Sequence, residues 1–295
     1  MSKLGTRDFK INPHCNKKIE IRCSDWEDFK RKIARDKVIQ YVPQQVENIS
    51  NIIYRGQSKY WKLSSELERR IPERCPKKFL PQMRSCYQKL SNKTLNKFRE
   101  LSHGLPEIKD NLSDNELWAL GRHYGLISPL LDWTESPYVA AFFAFYDLSK
   151  KVDISMNPPL ITKRSNVYVY SLLLTNNMFV KNKFEIVKLP RYFGTRIWAQ
   201  AGLFTKLDSK QHIDIESYLT YRKMAYCILC YKIPFSAGYE ALSDFKKMNI
   251  SYSRLFPDLF GAALEANIDD TSILSGKMRN AILWQNSSRK THHSK

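Results

Sequence analysis

Apolar residues recur along this chain at two spacings, and the spacings predict helices alternating with short strands. Trp26, Phe29 and Ile33 follow a helical period behind a Ser24-Asp25 cap, predicting an amphipathic helix over residues 26–36 that docks on the core. Ile52-Ile53 opens a short buried strand that ends at Arg55, and a helix-compatible run covers 82–101. Leu117, Trp118, Leu120 and Gly121 predict a helix from about Asp114 that delivers His123-Tyr124-Gly125 at its C-terminus, with Gly125 suited to a left-handed cap. Residues 130–134 read as a strand. Ser136-Pro137 then supplies a helix start, and 139–148 is so nearly all-apolar that its helix must be buried.

The second half is richer in strands. Residues 166–174 read as a central strand after a loop with Pro158 and Pro159. A basic loop carrying Lys181, Lys183, Lys188 and Arg191 leads into 196–205, followed by a strand over 225–233 that ends at Pro234. Helices are expected over 235–248 and 258–266. The organisation predicted is a helical N-terminal extension over 1–50, a main domain over 51–270 and a basic tail over 271–295.

Charge changes the picture from a generic globular chain to one with a preferred partner. Forty-eight Lys and Arg against 29 Asp and Glu give a net charge of +19, a field that attracts phosphate polyanions, nucleic acid first and anionic membrane second. The charge is uneven: 69–99 holds ten basic residues and one acid, Glu73, whereas 101–150 holds three basic and seven acidic ones. No signal-peptide core and no apolar run near eighteen residues is visible, and the six cysteines suit a reduced, cytoplasmic protein. Cys227 and Cys230 have zinc spacing, but no second pair follows, and in a strand their sulfurs would face opposite ways, so packing is the expected role. No metal site, glycine-rich phosphate loop or Gly-x-Ser-x-Gly elbow is present.

Two blocks carry a family likeness: Tyr54-Arg55-Gly56-Gln57, and His123-Tyr124-Gly125-Leu126-Ile127-Ser128-Pro129-Leu130-Leu131-Asp132-Trp133-Thr134-Glu135-Ser136-Pro137 followed by Ala140-Ala141-Phe142-Phe143-Ala144. With them the chain resembles the FRG-domain family, whose order of elements looks like that of ADP-ribosyltransferases of the Arg-Ser-Glu class. The resemblance implies an α+β fold, an ADP-ribosyltransferase-like split mixed β-sheet core with helices inserted between its first two strands and an N-terminal helical extension. It also implies NAD as cofactor, bound by Tyr54, Arg55, Gly56, Gln57, His123, Tyr124, Trp133 and Arg196.

Within that resemblance Arg55 contacts the NAD phosphates and nicotinamide ribose, a task suited to a planar bidentate donor, and Gly56 lets backbone approach the ligand. The competing reading of Arg55 is a structural ion pair with Asp132. Thr134 is the hydroxyl that orders the site, and Trp133 either stacks on nicotinamide or belongs to the core. Asp132 holds Arg55, acts as an acid or caps the next helix, with the first role favoured. His123 and Tyr124 are cleft residues and not the base. Gln200 stands where the class carries a glutamate, within a segment, 198–204, that resembles the corresponding strand; the acid is then Asp132, Glu135, Glu216 or Asp258, or is lacking. Arg196, four residues earlier, binds phosphate or sits on a strand surface, and Asp258 suits a helix start.

The function implied is NAD-dependent ADP-ribosyl transfer to nucleic acid, RNA favoured over DNA, by a bacterial toxin or phage-defence effector restrained by an antitoxin or inhibitor protein. Basic residues in 69–99 and 181–191 form the expected RNA rim, with Tyr87, Phe98, Tyr192 and Phe193 available to stack bases. The alternatives are a non-catalytic nucleic-acid-binding module on the same fold and an NAD glycohydrolase.

Overall fold

The computed structural model describes residues 16–41, 49–70, 79–106, 108, 111–149, 166–179, 184–190, 195–208 and 214–267. In chain order its elements are β1 (Ile19–Arg22), α1 (Trp26–Ile33), α2 (Arg35–Gln40), β2 (Ile49–Gln57), α3 (Leu80–Ser102), α4 (Asp114–His123), β3 (Leu130–Thr134) and α5 (Pro137–Ser149). After these come β4 (Asn166–Thr175), β5 (Phe184–Val187), α6 (Thr195–Ala199), β6 (Gly202–Leu207), α7 (Ile215–Tyr221), β7 (Ile228–Pro234), α8 (Gly238–Lys247), α9 (Tyr252–Leu255) and α10 (Leu259–Asn267).

The strands form one mixed sheet in the order β1-β7-β4-β2-β3-β6-β5, so the fold is α+β, as expected. β1 lies parallel to β7, and the other pairings are antiparallel. The neighbours β2 and β3 share a single register pair, Tyr54 with Thr134, whereas β2 pairs with β4 from Ile49 to Gln57. The sheet is therefore two well-knitted halves, β1-β7-β4-β2 and β3-β6-β5, that touch at one point and diverge beyond it.

Burial explains the layers. α5 places Ala140, Ala141, Phe142, Ala144 and Phe145 in complete burial, and the missing side chain of Gly56 lets it lie directly on β2. A Cβ at Gly56 would meet the Ala140 carbonyl oxygen at 1.7 Å. Trp26 and Phe29 of α1, Phe245 of α8 and Tyr252 of α9 close the same core with edge-on aromatic contacts. A second core, with Leu95, Leu117, Trp118, Leu130, Ile197 and Phe204, joins α3 and α4 to the β3-β6-β5 half.

Three sequence expectations change. The N-terminal stretch carries β1 as well as its helix and so adds a strand to the sheet, while Trp26, Phe29 and Ile33 dock in the main core as expected. The expected basic loop contains β5, held against β6 from Phe184 to Val187. Residues 195–199 form a helix, broken by Ala201 at φ +45°, and the strand begins only at Gly202. Cys227 precedes β7 and Cys230 lies in it; both are buried and free, and the described residues hold no metal-ligating cluster. The 271–295 tail, the Pro158-Pro159 loop and residues 1–15 lie outside the described residues.

Candidate functional site

Where β2 and β3 part, a cleft of about 460 Å³ opens, lined by both strands, the end of α4, the turn between α6 and β6, and Phe256 beyond α9. Alternation along β2 turns Gly56 toward α5 and Arg55 the opposite way, toward β3 and α4. The glycine thus admits a helix, a role the sequence reading did not give it, and it also lines the cleft.

Arg55 donates from Nη1 to the main-chain oxygen of Asp132 at 2.8 Å and stands 3.6 Å from its Oδ2. The carboxylate itself belongs to Arg122, which binds it with both arms, Nε to Oδ1 at 2.7 Å and Nη2 to Oδ2 at 2.5 Å. Asp132 therefore holds Arg55 mainly through its backbone. Burial raises the Asp132 pKa, but the charge and hydrogen bonds of Arg122, then the charge of Arg55, outweigh it and hold the acid below its ordinary value. Burial also lowers the pKa of Arg55, partly offset by Asp132 and reinforced by the charges of Arg122 and Arg69. The Nε of Arg55 is buried with no hydrogen-bond partner.

Arg122 comes from the last turn of α4, a helix fixed at its start by a capping box between Ser113 and Glu116. His123 follows it into the cleft, where its Nε2 is buried without a partner and burial holds its pKa below the ordinary value, Asp132 pulling it up and Arg196 and Arg122 pulling it down. Gly125 takes the left-handed cap at φ +88°. Tyr124 turns away: it is 67% exposed and does not line the cleft, so it is not part of the binding set expected from its neighbour. Gln57 is buried and likewise off the cleft.

On β3, the Trp133 indole donates to the Thr205 hydroxyl at 2.9 Å and is buried, which ties it into the core even where its edge lines the cleft. The Thr134 hydroxyl donates to the Gln200 carbonyl at 2.6 Å and accepts from the Ser136 amide at 3.0 Å, so it fixes the Gln200 turn. Gln200 is on that turn and not on a strand, and its Nε2 donates to the Leu255 carbonyl at 3.0 Å. Arg196, on α6, ion-pairs with Asp258 through Nε, and its guanidinium lies 5.4 Å from the Phe256 ring centre and 5.2 Å from that of Phe260. Asp258 also accepts from the Gly261 amide at the start of α10, the capping role expected of it.

The remaining candidate acids are committed elsewhere. Glu135 pairs with Lys188 and accepts from Asn51, while Glu216 pairs with Lys18 and accepts from the Leu63 amide; neither lines the cleft. Two charged lining residues escaped sequence reasoning, Arg122 and Glu66. Arg122 reads in the sequence as the basic last turn of a helix, and nothing in the sequence marks Glu66. Tyr87 is buried and Phe98 packs against the second core, so neither is free to stack a base. Lys181, Lys183, Arg191, Tyr192 and Phe193 lie outside the described residues, as do residues 71–78 of the basic segment.

Residues 50–153 match the family model of the FRG domain, which supports placing this stretch of the chain in the FRG-domain family. The matched stretch runs from β2 through α5 and carries Arg55, Glu66, Arg122, His123 and Asp132, one side of the cleft. No curated protein and no solved structure matches the chain.

Proposed function

We propose that the cleft binds NAD and that the protein transfers ADP-ribose to nucleic acid, RNA in preference to DNA. The observation that carries the reading is the convergence of Arg55, Arg122 and Arg196 on one cleft at the parting of two strands, with Arg55 Nε and His123 Nε2 buried there and lacking partners. A bound pyrophosphate would satisfy such donors, since guanidinium forks match phosphate oxygens. Phe143 and Phe256 give the cleft apolar walls suited to flat rings.

NAD supplies a glycosidic carbon already joined to a positively charged ring nitrogen, which leaves as neutral nicotinamide. Arg55, held by Asp132, orients the phosphate side. The Arg122–Asp132 pair keeps that arrangement rigid, and Thr134 fixes the opposing turn. The nucleic-acid acceptor is supported by α3, where Lys89, Lys93 and Lys97 follow one another at four-residue spacing on an exposed face.

The test is incubation with NAD plus total RNA or DNA, reading nicotinamide release and the mass added to nucleic acid. Arg55→Ala should lower turnover by about 100-fold or more and leave RNA binding intact. If the wild type neither binds nor cleaves NAD while it binds RNA tightly, the chain is a binding module and the transferase reading is wrong.

A further inference from the structure

The reading above leaves the reaction without a carboxylate, because Gln200 is an amide and the Asp132 oxygens are taken by Arg122. We infer that Glu66 is the catalytic carboxylate of this cleft, an inference that rests on the NAD reading of the same site. Apart from Asp132, it is the carboxylate that lines the cleft among the described residues. Its nearest cation, Arg122 Nη1, is 3.7 Å away, beyond hydrogen-bond range, and its side chain is 43% exposed to the cleft and solvent.

Its backbone is anchored on both sides. Leu63 is fully buried with its amide on Glu216, and Leu67 is buried with its amide on the Ser128 carbonyl just before β3. The segment 63–67 is thereby fixed to the rest of the fold at two points. Glu68, two residues on, is buried and accepts from the Ser65 amide, so the adjacent acid serves the fold while Glu66 serves the cleft.

The chemistry needs a group in this position. The bond from ribose C1′ to the nicotinamide nitrogen breaks with both electrons going to nicotinamide. A lone pair of the nucleic-acid acceptor forms the new bond to C1′, and the acceptor proton passes to solvent. Positive charge develops on the ribose in between. Glu66 offsets that charge and accepts a hydrogen bond from a ribose hydroxyl, with the Arg122 guanidinium 3.7 Å behind it.

Glu66→Gln keeps size and hydrogen bonding but removes the charge. NAD affinity, measured by calorimetry, should stay within about threefold of wild type while kcat for nicotinamide release falls by about 100-fold or more. Glu66→Asp should recover part of the loss. Turnover unchanged in Glu66→Gln, in a wild type that Arg55→Ala silences, overturns the role of Glu66 and leaves the NAD reading standing. Affinity and turnover lost in parallel make Glu66 a prop for Arg122 and overturn the catalytic role. A wild type that neither binds nor cleaves NAD overturns both.

Discussion

Two glycines show how single residues shape this site. Gly56 has no room for a side chain, since the clash is with helix backbone that cannot rotate away. Gly125 has open space around its missing Cβ and only the left-handed backbone to object. Gly56→Ala should therefore cost about 3 kcal/mol or more in urea unfolding, and Gly125→Ala roughly 1 kcal/mol. Equal costs at the two positions would mean that α5 does not seat on β2 as described. At this scale Arg55, Asp132 and His123 were legible through the two sequence blocks that resemble the FRG-domain family. It hid Arg122, which reads as the ordinary basic last turn of a helix. It hid Glu66 too, because the loop that carries it acquires meaning only when Leu67 meets Ser128 across the fold.

Elements with local signals were read closely, and those that depend on a partner were not. The Ser113 cap, the Gly125 stop and the Pro137 start bound α4, β3 and α5 almost to the residue. β1 and β5 have four residues each, too few for a periodic signal, and exist because β7 and β6 offer them an edge. Residues 195–199 carry β-prone side chains but are helical because α6 packs against β6 and α9. The exposed lysine stripe of α3 leads to a prediction at the same scale. Reversing Lys89, Lys93 and Lys97 to Glu should weaken RNA binding and flatten its salt dependence by about one per lysine removed, with NAD affinity unchanged. Filter binding across a salt series measures this, and an unaltered slope would move the RNA surface off α3.

At the scale of the whole molecule, the acidity of one buried side chain should set how stability follows pH. Burial pushes the Glu68 carboxyl from 4.5 up to about 7, against the pull of the Ser65 amide and the Arg84 charge. Below pH 4.5 both folded and unfolded chains carry its proton. Between 4.5 and about 7 the unfolded chain releases the proton first, so stability falls as pH rises, and above 7 the loss is complete. Glu68→Gln removes this slope: relative to wild type the variant should gain up to roughly 3 kcal/mol between the two ends of that window. Parallel curves from denaturant melts across pH would show that Glu68 ionises freely in the fold. Among the described residues no helix is long and apolar enough to cross a membrane.

The cleft joins residues from Tyr54 to Phe256, and the sheet beneath it closes only when Ile19 meets Leu229. During synthesis the Arg55 strand leaves the ribosome long before the wall it faces, and its guanidinium has nothing to oppose it until β3, the Gln200 turn and Phe256 have followed. A message cut short ahead of the Gln200 codon therefore yields a chain that carries the matched stretch and only part of the cleft lining. The cleft of the nascent chain is incomplete until most of its length has been translated.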